Sequence, residues 1–93
     1  MTKMIISEDS YDYEIAVAAV FDVNYKLYGH VMRRGIKIVP TIDPYIDVQK
    51  YNFVAPAMDR SGNTYKIEWP ILGYNDEKEW EIVDWHDYEV EEV

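Results

Sequence analysis

Two runs rich in β-branched and aromatic residues, Tyr51-Asn-Phe-Val-Ala-Pro-Ala-Met58 and Thr64-Tyr-Lys-Ile-Glu-Trp69, are separated by five turn-forming residues, Asp59-Arg-Ser-Gly-Asn63. Two such runs joined by a short glycine-containing loop are the signature of a β-hairpin, which commits the chain to an antiparallel sheet. Pro56 lies inside the first arm. A ring nitrogen cannot donate to a ladder, so this arm is expected at a sheet edge or at a bulge, and Pro70 is expected to end the second arm.

Flanking segments extend the sheet. Gly35-Ile-Lys-Ile-Val-Pro40 alternates and stops at a proline, while Ile42-Asp-Pro-Tyr-Ile-Asp47 reads as a turn or edge segment. Leu72-Gly-Tyr-Asn-Asp76 is expected to turn, and Glu79 to Val90 to form one final strand. Residues 3–6 are short and apolar enough for a further strand. The segment from Tyr11 to Met32 carries two patterns at once. Every odd position from 11 to 27 is apolar or aromatic, as in a strand. Ala16, Ala18 and Ala19, with a second stripe at Tyr13, Val17, Val20, Leu27 and Val31, favour a helix. Charge order favours the helix too: Glu8, Asp9, Asp12 and Glu14 come early, and Lys26, Arg33 and Arg34 late, as the helix dipole prefers. Ser7 and Ser10 supply candidate N-caps. The expectation is a helix over about residues 9–22, packed on a small antiparallel sheet of three to five strands. The fold class is α+β in one domain, 1–93, with all-β as the alternative.

Charge is distributed unevenly. The segment 76–93 holds nine of the eighteen carboxylates, Asp76, Glu77, Glu79, Glu81, Asp84, Asp87, Glu89, Glu91 and Glu92, against one base, Lys78. That leaves it at −8 of a total of −9, so the other 75 residues are nearly neutral. A concentrated negative field favours basic protein surfaces and disfavours nucleic acid. Trp80, Trp85 and Tyr88 stand among the acids, which a purely solvating tail would lack, so the segment is expected to fold. If 79–90 is one regular strand, Trp80, Ile82, Asp84, His86, Tyr88 and Val90 face the domain. The odd positions then present a row of carboxylates roughly 6.6–6.8 Å apart, the scale of neighbouring phosphates on a nucleic-acid strand. A plain alternative is a solvated edge whose charges block edge-to-edge pairing.

Several functional classes find no support in the residues. Without cysteine there are no disulfides and no thiolate metal sites. The start, Met1 to Ser7, lacks a signal-peptide apolar core, and no apolar run reaches membrane-span length, so a cytoplasmic location is expected. Asp84 and His86 are a candidate metal or acid–base pair, although Asp87 would point to the opposite strand face. His30 has no acidic neighbour within five residues. No two carboxylates stand out as a glycosidase pair. Ser7, Ser10 and Ser61 lack a nucleophile elbow, and the four glycines form no phosphate-cradling loop. No catalytic residue, cofactor or metal is therefore assigned. Arg33-Arg34, with Lys37, is too small for a nucleic-acid site; it is expected to finish a helix or to pair with the acidic face, across a homodimer in one version. Tyr11, Tyr13, Tyr25, Tyr28, Tyr45, Tyr51 and Tyr74 could add aromatic contacts to basic partners, or serve the core.

In its small size, acidity and lack of cysteine, and in the runs Glu79-Trp-Glu81 and Asp87-Tyr-Glu-Val-Glu-Glu92, the chain resembles the bacteriophage anti-defence proteins. These are the DNA-mimicking anti-restriction factors and the anti-CRISPR inhibitors. The resemblance covers composition and the C-terminal fifth, and it implies a non-enzymatic inhibitor. Such an inhibitor would occupy the basic nucleic-acid-binding groove of a nuclease or effector complex in a bacterial host, often as a dimer. The expected contact set is Asp76, Glu77, Glu79, Glu81, Asp84, Asp87, Glu89, Glu91 and Glu92, with Trp85 and Tyr88 adding stacking or packing. A structural or adaptor module of a phage or mobile-element assembly, held by tyrosines and edge strands, is the alternative.

Overall fold

The computed structural model describes residues 11–93. The strand expected at 3–6 and the caps expected at Ser7 and Ser10 lie outside the described residues. Seven strands and one helix follow in the order α1 (Tyr11–Tyr28), β1 (Val31–Arg33), β2 (Ile36–Pro40), β3 (Tyr45–Asp47), β4 (Asn52–Met58), β5 (Thr64–Asn75), β6 (Trp80–Val83) and β7 (Glu89–Glu92). The architecture is a strand-rich α+β half-barrel with one helix, with more strands than the three to five expected.

The expected hairpin is its spine. β4 and β5 pair without a break from Asn52 opposite Pro70 to Met58 opposite Thr64. The turn is held from inside by Asp59, which is buried. Its Oδ1 accepts the Ser61 and Asn63 backbone amides at 2.9 and 3.0 Å, and its Oδ2 accepts the Asn63 side-chain amide at 2.9 Å and the Tyr65 hydroxyl at 2.8 Å. Burial alone would raise its pKa. The hydrogen bonds from Asn63, Tyr65 and Ser61 favour the anion more strongly, so the carboxyl lies below its ordinary range. The same bond pushes the Tyr65 hydroxyl up, helped by burial.

Each spine strand carries two further strands on its outer edge. β2 and β3 both pair with β4, and β7 and β6 both pair with β5, all antiparallel. Pro56 is thus in a central strand, not at the edge the sequence led us to expect. It is tolerated because its carbonyl accepts the Thr41 amide at 2.9 Å, and its ring nitrogen faces the same side. That side falls between the β2 ladder, which ends at Pro40, and the β3 ladder, which begins at Tyr45. No ladder donor is needed there. Nor does Pro70 end its strand; β5 runs on to Asn75.

Alternation along the spine buries two layers. On one face Val31, Ile38, Ala55, Ala57, Tyr65, Ile67 and Trp69 form the main core, with Phe53, Val83, Tyr88 and Val90 packed against it. Each fully buried aliphatic there, Ile38 and Ile67 among them, contributes about 1.5–3 kcal/mol. On the other face the cross-strand neighbours Val39 and Met58 lie with Phe21 of α1, flanked by Val17 and Tyr25. The helix forms, but the face it buries is Val17, Phe21 and Tyr25 at four-residue spacing and not the stripe expected from sequence: Val20 and Leu27 are exposed, and Val31 lies in β1. α1 runs six residues beyond the expected end at 22. It stops at Gly29, whose φ of 74° and amide bonded to the Tyr25 carbonyl at 2.9 Å make a left-handed cap. The Arg33-Arg34 pair does not finish the helix: Arg33 is in β1, and Arg34, with φ 51°, turns the β1–β2 hairpin with Gly35.

The half-barrel closes through side chains. The Tyr88 hydroxyl accepts the Met32 amide at 2.9 Å and donates to the Met32 carbonyl at 3.3 Å, and Arg33 meets Glu92 at 3.4 Å. These contacts bring β1 and β7 together across the open side.

Candidate protein-binding surface

The segment 76–93 does not form one strand. β6 ends at Val83, a turn occupies 84–88, and β7 begins at Glu89, so the expected continuous row of carboxylates is absent. The turn is written in local chemistry: Asp84 Oδ1 accepts the His86 backbone amide at 3.0 Å, and the Asp84 carbonyl accepts the Asp87 amide at 3.0 Å. The pairing of Asp84 with His86 is thus a turn motif. Among the described residues, no group of three His, Cys, Asp or Glu side chains is placed to hold a metal ion.

The turn also resets which residues face inward. In β6 the half-buried positions are Glu81 and Val83, and Trp80 and Ile82 are exposed, the reverse of expectation. In β7 the inward residue is Val90, opposite Ile67. Apart from Glu81, half-buried in β6 opposite Tyr74, the acids consequently fall into three groups on three local frames.

The first group caps an arm. The distal part of β5 pairs with β6 alone, and Leu72, Tyr74, Trp80 and Ile82 along it are all exposed. At its tip Asn75 accepts the Lys78 amide through its side chain at 3.1 Å and the Glu79 amide through its carbonyl at 2.8 Å, and Asp76, Glu77 and Glu79 project from this turn. Glu79 has φ 59°, a left-handed backbone that glycine or asparagine adopts more easily. Lys78 is drawn over the Trp80 ring, 5.4 Å from its centroid.

Asp84 and Asp87 make the second group and flank Trp85, which is half exposed. Its ring lies 5.2 Å from Phe53 and 5.3 Å, edge-on, from Trp69, and its carbonyl accepts the Trp69 indole N–H at 3.2 Å. This packing fixes the turn. Tyr88 faces the domain, as the alternation leads one to expect: it packs on the main core with its hydroxyl on Met32.

Glu89, Glu91 and Glu92 on β7 are the third group. Glu91 stands opposite Lys66 and Glu89 opposite Glu68, whereas Glu92 shares the Tyr65 face and meets Arg33, itself 5.8 Å from the Tyr65 ring centroid. The expectation that Arg33 pairs with the acidic segment is met within one chain, at this single point.

Of the other described bases, Lys50, Lys66, Arg60 and Lys37 make their contacts outside the segment. Lys66 and Lys50 both reach Glu68, at 3.0 and 3.5 Å, and Arg60 reaches Asp22 at 3.1 Å. The Lys66 contact holds the Glu68 carboxyl below its ordinary range, and the same contact pushes the Lys66 ammonium up. Lys37 lies 5.5 Å from the Tyr25 ring centroid. Among the described residues, eight of the nine carboxylates of 76–93, all but Glu92, have no cationic group within 4.0 Å.

Of the residues that sequence reasoning missed, Leu72, Trp80 and Ile82 matter most. Leu72 was expected in a turn at 72–76, where β5 instead continues to Asn75, and assigning Trp80 and Ile82 inward depended on an unbroken strand. Tyr45, Tyr51 and Tyr74 are exposed, and Tyr13, Tyr25 and Tyr28 are half-buried against the fold. No helix among the described residues is long and apolar enough to cross a membrane. No protein-family model, curated protein or solved structure matches the chain.

Proposed function

We propose that this protein is a non-enzymatic binding module whose acidic arm and turn engage a basic protein surface. Specifically, it would inhibit a nucleic-acid-binding defence protein of the anti-restriction or anti-CRISPR target type. The observation that carries the reading is that, among the described residues, Asp76, Glu77, Glu79, Glu81, Asp84, Asp87, Glu89 and Glu91 have no ion-pair partner, while Lys50, Lys66 and Arg60 pair with carboxylates outside the segment. Carboxylates left without internal partners repel one another, and they are retained most readily where an external cation relieves them. The backbone at Glu79 points the same way, since a carboxylate is kept at a position that costs roughly 1 kcal/mol or more relative to glycine. With the regular row gone, mimicry of a phosphate ladder gives way to a three-part anionic surface. Trp80 and Trp85 lie within it to stack on arginine side chains.

The test is capture of partners from bacterial lysate at low and high salt with the wild type and with Glu79→Gln/Glu81→Gln/Glu89→Gln/Glu91→Gln. The expected result is enrichment of nucleic-acid-binding proteins that is lost at high salt and lost in the variant. Retention that is indifferent to both changes would refute the proposal. The exposed apolar residues of the arm favour a second reading, an adaptor module docking through Leu72, Tyr74, Trp80 and Ile82. That reading predicts the opposite dependence, with binding abolished by Trp80→Ser/Ile82→Ser and unaffected by the four Gln substitutions.

A further inference from the structure

The helix buries one apolar stripe and exposes another. Val17, Phe21 and Tyr25 face the sheet, whereas Val20, Val23 and Leu27 are 51, 57 and 65% exposed. With the half-buried Ala16 they follow a spacing of four, three and four residues, which is the seam of a two-stranded coiled coil. No charged residue interrupts the stripe. An exposed seam on an 18-residue helix, about 27 Å long, fits another helix of similar length.

Three features of the stripe point to the same helix of a second copy, running antiparallel. Its ends are complementary in volume: around a two-fold axis passing between Phe21 and Asp22, Ala16 faces Leu27 of the other copy and Val20 faces Val23. A small residue then meets a large one and two medium residues meet each other, giving even layers from end to end. Parallel pairing would set Leu27 on Leu27 and Ala16 on Ala16, wide at one end and hollow at the other. Charge order is the second feature. Glu14 lies at the N-terminal end and Lys26 at the C-terminal end, with Lys37 held against Tyr25 nearby. Only the antiparallel arrangement brings acid to base and sets the two helix dipoles opposed, each N-terminus beside the other's C-terminus. Thirdly, the match is of the stripe with itself, which is what a closed two-fold interface requires. We infer that the protein forms a homodimer through an antiparallel α1–α1 pair, with Ala16, Val20, Val23 and Leu27 as its seam. This inference is independent of the acidic surface, since the seam contains none of its residues.

The experiment uses the full chain. Sedimentation equilibrium at high micromolar concentration is expected to show a dimer for the wild type and a monomer for Val23→Glu/Leu27→Glu, with unchanged far-UV circular dichroism. Because the chain has no cysteine, orientation can be read separately in an equimolar mixture of Val20→Cys and Val23→Cys. Under mild oxidation the antiparallel pair gives mainly the mixed disulfide. A wild type that sediments as a monomer, or a dimer that persists in the folded double-glutamate variant, would overturn the interface. Should that variant fail to fold, the cysteine mixture decides alone: absence of disulfide dimers, or a predominance of Val20→Cys and Val23→Cys homodimers, overturns the antiparallel pair.

Discussion

Asp59 is the residue on which the hairpin turn depends, and its replacement gives the sharpest quantitative test of this structure. Asp59→Ala removes an acceptor of four hydrogen bonds, from the Ser61 amide, the Asn63 amide, the Asn63 side chain and the Tyr65 hydroxyl. Hydrogen bonds to a charged group are worth about 1.5–3 kcal/mol each, but water can replace the carboxylate at the turn amides. The Tyr65 hydroxyl is in a buried residue and has no such recourse, so its loss costs roughly 1–3 kcal/mol. Together the substitution is expected to cost about 3–4 kcal/mol, a large part of the roughly 5–15 kcal/mol a domain of this size possesses. Asp59→Asn keeps one acceptor oxygen and should cost about 1–2 kcal/mol. Urea unfolding followed by tryptophan fluorescence measures both. The acid limb adds a second check. The folded pKa of Asp59 is depressed, so its contribution is complete above the unfolded value near 3.9 and is lost as pH falls through the folded value. The stability gap between wild type and Asp59→Asn should therefore narrow in acid. The Glu68 carboxyl, also depressed, behaves alike in both proteins and cancels. A cost below about 1 kcal/mol for Asp59→Ala, or a gap that does not change with pH, would refute the argument.

Tyr88→Phe removes both hydrogen bonds that tie β7 to β1 at Met32 and should lower stability by about 1–2 kcal/mol. In a chain of this length that means a drop in melting temperature of roughly 4–16 °C by calorimetry, and an unchanged melting temperature would show that the closure does not depend on this hydroxyl. Glu79→Gly relieves the left-handed backbone at the arm tip, so thermal stability should hold within about 1 kcal/mol of the wild type while capture of basic partners weakens. A loss of stability well beyond that would mean that Glu79 serves the fold.

Much of the spine was legible because turn chemistry is local. Asp59 to Asn63 contain their own hydrogen-bonding programme, and the alanines and charge order of α1 are equally local, although which face of the helix is buried depends on Val39 and Met58, far away in sequence. Where reading failed, the decisive partner was distant in sequence. Pro56 reads as an edge residue until Thr41 and the interval between β2 and β3 are known. β1 is a three-residue strand defined by its pairing with β2. In the acidic segment the signal was present but assigned to the wrong chemistry. Asp84-Trp-His-Asp87 reads as a metal or acid–base cluster, yet an aspartate two residues before a bonded amide is equally a turn former. Once the chain turned there, the inward and outward assignments of β6 were inverted, and with them the exposure of Trp80 and Ile82.

β5 is one strand from the half-barrel, where it pairs with β7, into the arm, where it pairs with β6 across a register shift between Ile71 and Gly73. The tip is therefore carried like a cantilever whose root is clamped by Tyr65, Ile67 and Trp69 in the main core. A docking protein would meet Asp76, Glu77 and Glu79 already in position, and little orientational entropy would remain to be lost at the encounter.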